Sequence, residues 1–178
     1  IDLRQSKKLE DLLQTVDQET LANIIYRYGD EKESRKISLA IINSYKEGRI
    51  LNTKDLAEVI KKSKTRLPNK IHPATKTFQA LRIYLNDEIN NLKVGLNKSK
   101  DLLKTGGRIV CISFHSLEDR SVKQSFAPKK ISYPKEIPLN NEVTKEFKVI
   151  AKKIKPSATE LQRNRRSRSA IMRVFEKI

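Results

Sequence analysis

"GGRIVCISFHSLEDRSVKQSF", residues 106–126, carries the turn, the strand and the polar cluster around which the rest of this chain is read. Gly106 and Gly107 turn the chain, and Ile109, Val110, Cys111, Ile112 and Phe114 follow as an apolar run rich in β-branched residues. A run of this kind predicts a strand buried on both faces, as in a parallel α/β sheet. Polar side chains crowd its carboxyl end, where Ser113, His115, Ser116, Glu118 and Asp119 fall within seven residues. Ligands of open α/β sheets bind beyond the carboxyl ends of the strands, so this cluster is the first candidate site.

Its residue types argue against two chemistries. A hydrolase nucleophile elbow needs G-x-S-x-G, and neither Ser113 nor Ser116 has flanking glycines. Triad members also come from distant parts of a chain, because neighbours on one strand point to opposite faces. Zinc needs three or four ligands; here Cys111 belongs inside the strand and His72 has no neighbouring partner, so no metal site is read. Two readings stay open. The polar side chains hydrogen-bond a ligand, or Glu118 and Asp119 cap the next helix and pair with Arg120.

Upstream, residues 9–62 read as short amphipathic helices. Asp17 caps a helix with Leu21, Ile24, Ile25 and Tyr28 on one face, and Gly29 stops it. Ile37, Ala40, Ile41 and Tyr45 repeat the pattern, and Leu56, Val59 and Ile60 follow a Thr53 cap. A basic loop over 63–73 leads to Pro73, which suits the first position of a helix reaching about Leu103. Phe78, Leu81, Leu85, Ile89, Leu92 and Leu96 form its inner stripe, and Gly95 is a candidate bend. Downstream, the proline- and lysine-rich stretch 127–146 reads as an exposed loop. "EFKVIAKKI" and "RSAIMRVFEKI" read as strands, with an arginine-rich loop between them. One buried strand and two late ones make half of an α/β sheet.

The net charge of +17 over 178 residues calls for an anionic partner, nucleic acid before a membrane surface. No apolar stretch approaches 18 residues, and no signal peptide is read. The single cysteine excludes an internal disulfide and fits a reducing compartment. The first residue is Ile1 rather than Met, as in a piece of a longer chain.

"GGRIVCISFHSLEDRSVK" resembles the signature of the bacterial ribosomal RNA small-subunit methyltransferase H family. So do "YRYGDEKESRKISLAI" at 26–41, "IHPATKTFQALRIYLNDE" at 71–88 and "PSATELQRNRRSRSAIMRV" at 156–174. Ile171-Met172 departs from the family, which usually has Lys before the aliphatic residue. The resemblance implies transfer of a methyl group from S-adenosylmethionine to the N4 of a cytidine in the decoding region of 16S rRNA. It implies an α/β fold: the distal half of a Rossmann-like methyltransferase sheet plus an inserted α-helical domain. Residues 1–8 would end the cofactor half, 9–70 would be the substrate-recognising insert, and 71–178 the distal methyltransferase part. Ser113, His115, Ser116 and Asp119 become candidate catalytic residues, as acceptors around an exocyclic amine. His72, Lys76, Arg82, Arg163, Arg165, Arg166 and Arg168 become candidate RNA contacts.

The family's glycine-rich cofactor loop is absent: none of the five glycines stands in a G-x-G-x-x-G arrangement. "IDLR" at 1–4 resembles the segment that follows the cofactor half, which places this sequence in the C-terminal two-thirds of such an enzyme, inactive alone. The partner implied is 16S rRNA in the small ribosomal subunit, in the cytoplasm, with a homodimer for the complete enzyme. The alternative is a non-catalytic basic RNA-binding module.

Overall fold

The computed structural model describes residues 8–66, 71–130 and 143–178. The chain divides into two compact units, Ile1–Glu88 and Ile89–Ile178.

Unit 1 is helical. Its elements are α1 (Leu9–Thr15), α2 (Gln18–Gly29), α3 (Ser34–Lys46), α4 (Thr53–Ser63) and α5 (Thr75–Leu85). The apolar stripes meet as expected: Leu21, Ile25, Ile37, Ile41, Leu56 and Ile60 are all buried in one core. Removing that much aliphatic surface from water is what holds helices of 7–13 residues, too short to persist alone. Asp17 caps α2 by accepting the Thr20 N–H at 2.6 Å. Two boundary residues differ from the sequence reading. Asn52, not Thr53, caps α4, its Oδ1 accepting from Lys54 and Asp55 N–H at 2.8 and 3.1 Å. Asp30, not Gly29, takes the left-handed conformation (φ 49°) that ends α2. Gly29 is needed for space instead, because a Cβ there would lie 2.5 Å from the Lys76 carbonyl oxygen of α5.

Lys64 and Glu31 form a buried ion pair at 2.6 Å, with side chains 6% and 8% exposed. Lys64 Nζ also donates to the Pro73 carbonyl at 2.7 Å, so one ammonium ties the segments before α3 and before α5. The expected continuous helix to Leu103 is two helices. α5 ends at Leu85, and α6 (Glu88–Leu102) begins after Asp87, whose positive φ of 49° interrupts the helical path. Gly95 lies inside α6 without breaking it. The compact helical unit includes α5 and ends at Glu88.

Unit 2 contains β1 (Arg108–Ser113), α7 (Ser116–Ser125), β4 (Phe147–Ile154), α8 (Ala158–Arg163), a 3-10 helix at Arg165–Ser169, and β5 (Ile171–Lys177). Lys129–Lys130 (β2) pair with Val143–Thr144 (β3), where a loop was expected; the expectation for 131–142 lies outside the described residues. The main sheet has the order β1-β5-β4, and both pairings are antiparallel. The strand at 109–114 was expected in a parallel sheet and covered on both faces; among the described residues it is neither. Ile109, Cys111 and Ser113 face a core of Leu96, Val122, Phe126, Phe147 and Phe175. Val110, Ile112 and Phe114 point the other way and are 56%, 58% and 53% exposed. The mixed α/β fold holds, with a small antiparallel sheet.

Candidate active-site edge and basic surface

β1 ends at Ser113, and the chain passes through Phe114 and His115 into α7. His115 is the N-cap of α7, and its Nδ1 accepts the Glu118 N–H at 3.3 Å. Glu118 answers through Oε2, which accepts from Phe114 N–H at 2.7 Å and His115 N–H at 3.3 Å. This is a capping box with an imidazole where Ser or Thr is usual. His115 Nε2 lies 3.4 Å from Glu118 Oε1. Ser113 is buried at 2% exposure, whereas Ser116, the first residue of α7, is exposed.

Asp119 sits one residue beyond the box and is buried. Arg173 of β5 donates to both its oxygens, Nε to Oδ1 at 2.6 Å and Nη2 to Oδ2 at 3.1 Å. The Arg173 side chain, hydrogen-bonded to Asp119 first and charged second, holds the Asp119 carboxyl below its ordinary range, with Lys123 Nζ adding to the effect from 3.5 Å. Arg173 also donates to the Lys152 carbonyl of β4. One guanidinium thus joins α7, β5 and β4. Of the open readings, Glu118 does cap the helix, while the acid pair expected with Arg120 is instead Asp119 with Arg173. Sequence reading missed Arg173, although a signal was present: in "IMRVF" the period of two puts Arg173 on the same face as Phe175, and a charge on an inward face demands a partner.

The sheet register brings the arginine-rich segment to this same edge. Ser113 pairs with Ile171, so the 3-10 helix that leads into β5 lies at the carboxyl end of β1. A loop was expected there, and the polar residues instead close a turn. Asn164 Oδ1 accepts the Arg166 N–H at 3.1 Å, and Ser167 Oγ donates to the Asn164 carbonyl at 2.7 Å. Ser167 faces inward, and Arg163, Arg165, Arg166 and Arg168 are all exposed. Among the described residues none of these four forms an ion pair.

The three candidates of unit 1 have local partners. His72 Nδ1 accepts the Ala74 N–H at 3.2 Å, Lys76 Nζ donates to the Asp30 carbonyl at 2.8 Å, and Arg82 makes a two-pronged contact with Glu88 at 2.8 and 3.0 Å.

The sequence model of the MraW methylase family matches residues 1–178. The chain belongs to the MraW methylase family. Relatives of this MraW chain include the ribosomal RNA small subunit methyltransferase H of Ehrlichia canis (strain Jake), 48% identical over 166 residues, covering 92% of this chain and 54% of that protein. The protein of the same name from Buchnera aphidicola subsp. Cinara cedri is 43% identical over 170 residues, covering 92% and 55%. That of Legionella pneumophila (strain Paris) is 39% identical over 181 residues, covering 100% and 59%. The MraW chain described here therefore spans between 54% and 59% of the length of these relatives, less than the two-thirds inferred from its motifs.

The glycine turn lies at the amino end of β1, away from His115, and its N–H groups are taken: Gly106 donates to the Lys177 carbonyl and Gly107 to the Lys104 carbonyl, each at 2.8 Å. Among the described residues no helix is long and apolar enough to cross a membrane, and no three His, Cys, Asp or Glu residues converge on a possible metal position.

Proposed function

We propose that this chain is the base-presenting and RNA-gripping share of an S-adenosylmethionine-dependent methyltransferase acting on the N4 of a cytidine in the decoding region of 16S rRNA. The family match along the whole chain carries the reading. The juxtaposition of four exposed arginines with the Ser113–Ser116 edge supports it. Guanidinium groups grip phosphates and stack on unpaired bases, which positions a nucleotide, and a cytosine must leave its stack to reach a reacting group.

On this reading the three-stranded sheet is the distal part of a larger Rossmann-like sheet, and cofactor contacts lie outside the described residues. S-adenosylmethionine supplies the methyl group. The side chains here do the rest: Ser116 Oγ accepts a hydrogen bond from the amine and holds its lone pair in line, His115, its Nδ1 taken by the Glu118 N–H, fixes the turn that presents Ser116, and Ser113 supports them from the buried end of β1. Asp119, with both oxygens on Arg173, positions α7 and hence His115. The partner is 16S rRNA in the small subunit, the setting the cytoplasm, and the complete enzyme a homodimer. A second reading, a non-catalytic basic RNA-binding module, draws on the net charge of +17.

The experiment joins two measurements on a complete enzyme carrying this sequence: methyl transfer to undermethylated small subunits, and affinity for them. His115→Ala is expected to lower turnover far more than affinity. Wild-type turnover in that variant would leave His115 a helix cap. RNA binding without methyl transfer in the unsubstituted complete enzyme would favour the second reading.

A further inference from the structure

Unit 1 carries a groove that the edge described above does not use. It lies along the corner between α2 and α3, has a volume of about 480 Å³, and is walled by Asn23, Tyr26, Lys32, Glu33, Arg35 and Lys36. Tyr26 is 57% exposed, and among the described residues no ring or cation stacks on it. Tyr28, two residues on, has its ring 6.1 Å from that of Tyr84. Lys32, Arg35 and Lys36 are exposed. Among the described residues Lys32 and Arg35 form no ion pair, and Lys36 Nζ donates only to Thr65 Oγ1, at 3.1 Å. Glu33 is the acid of this wall, and its carboxylate is engaged by the Thr65 N–H at 3.0 and 3.3 Å. An open aromatic face flanked by unpaired cations is what an unpaired base and its phosphates require; a duplex hides its base faces.

We propose that this groove binds a single-stranded segment of RNA, with one base stacked on Tyr26 and the flanking phosphates on Lys32 and Arg35. The inference takes RNA as the partner from the proposed function and adds a contact surface distinct from the arginine segment. The probe is a single-stranded uridine oligonucleotide of about eight nucleotides, within the usual site size of such surfaces. Binding is followed by anisotropy on the full chain, below the concentration at which it associates. Loss of one stacking contact corresponds to about 5- to 150-fold weaker binding, expected for Tyr26→Ala and restored by Tyr26→Phe. Lys32→Gln with Arg35→Gln is expected to flatten the plot of log affinity against log salt by about 1.4, roughly 0.7 per lost phosphate. An oligonucleotide carrying 5-iodouridine should photo-crosslink to Tyr26, located by mass spectrometry. A duplex of equal length should show no dependence on Tyr26. Unchanged affinity in Tyr26→Ala, or a polyglutamate peptide bound with the same dependence on Tyr26, overturns the proposal. If affinity falls on replacing Arg165, Arg166 and Arg168 but not Tyr26, the groove fails and the proposed function stands. If Tyr26 governs binding while His115→Ala leaves turnover of the complete enzyme intact, the groove stands and the assignment of His115 fails.

Discussion

At Gly29 a methyl group would stand 2.5 Å from the Lys76 carbonyl oxygen, which belongs to backbone and cannot swing aside. Gly29→Ala is therefore expected to destabilise unit 1 by about 1–3 kcal/mol, the usual cost of overpacking, read as a lower melting midpoint by circular dichroism. The Asp119–Arg173 pair makes a pH-dependent prediction. The folded Asp119 carboxyl titrates below its ordinary value of 3.8, chiefly through its hydrogen bonds from Arg173. Its contribution to stability is thus complete above that value and is lost as the pH falls through the lower, folded one. Asp119→Asn leaves Arg173 buried without its charge partner, a loss of about 3 kcal/mol at neutral pH. In urea unfolding series the gap between variant and wild type should close below about pH 4. A gap that stays constant to lower pH would mean that Asp119 contributes by shape rather than charge.

The helices of unit 1 are held by packing, and their ends by single side chains. Asn52 satisfies two orphan N–H groups of α4 and, through the reciprocal contact of Asp55, has its own N–H satisfied. Asn52→Ala should cost about 1 kcal/mol and Asn52→Gly only a few tenths, a ratio that distinguishes a cap from a packing residue. β1 is the opposite case, an element with one neighbour strand among the described residues. It forms one edge of the sheet, and Val110, Ile112 and Phe114 stand open to solvent. Apolar edges of this kind associate. The chain by itself is expected to self-associate with rising concentration, and Ile112→Lys, which charges the open face, to suppress this in analytical ultracentrifugation.

Over the whole molecule the net charge of +17 includes Arg163, Arg165, Arg166 and Arg168, exposed and without an ion pair among the described residues. Replacing Arg165, Arg166 and Arg168 with Gln in a complete enzyme should weaken binding to the small-subunit particle. It should also lower the salt slope by about two units, at roughly 0.7–0.9 per phosphate. An unchanged slope would move the phosphate contacts elsewhere, first to the lysines and arginines of unit 1.

Hydrophobic periodicity made α2, α3 and α4, the three long strands and the polar cluster at the end of β1 legible, because each depends on neighbours within a few residues. Net charge, a property of composition, likewise set the expectation of an anionic partner. Pairing direction did not follow. A continuous apolar run reads the same in a parallel sheet covered on both faces as in an antiparallel edge strand with one face open, and only the partner strand, 58 to 68 residues away, separates the two. The division of labour at the cluster was equally hidden. Asp119 and His115 look alike as polar neighbours, and what tells them apart is Arg173, brought across the sheet to take one of them. Gly29 needs its missing side chain because of Lys76, and the arginine segment reaches the edge of β1 because Ile171 pairs with Ser113. Each of these joins residues far apart in the chain, and such contacts are settled by which surfaces bury each other, a competition that no local window of sequence contains.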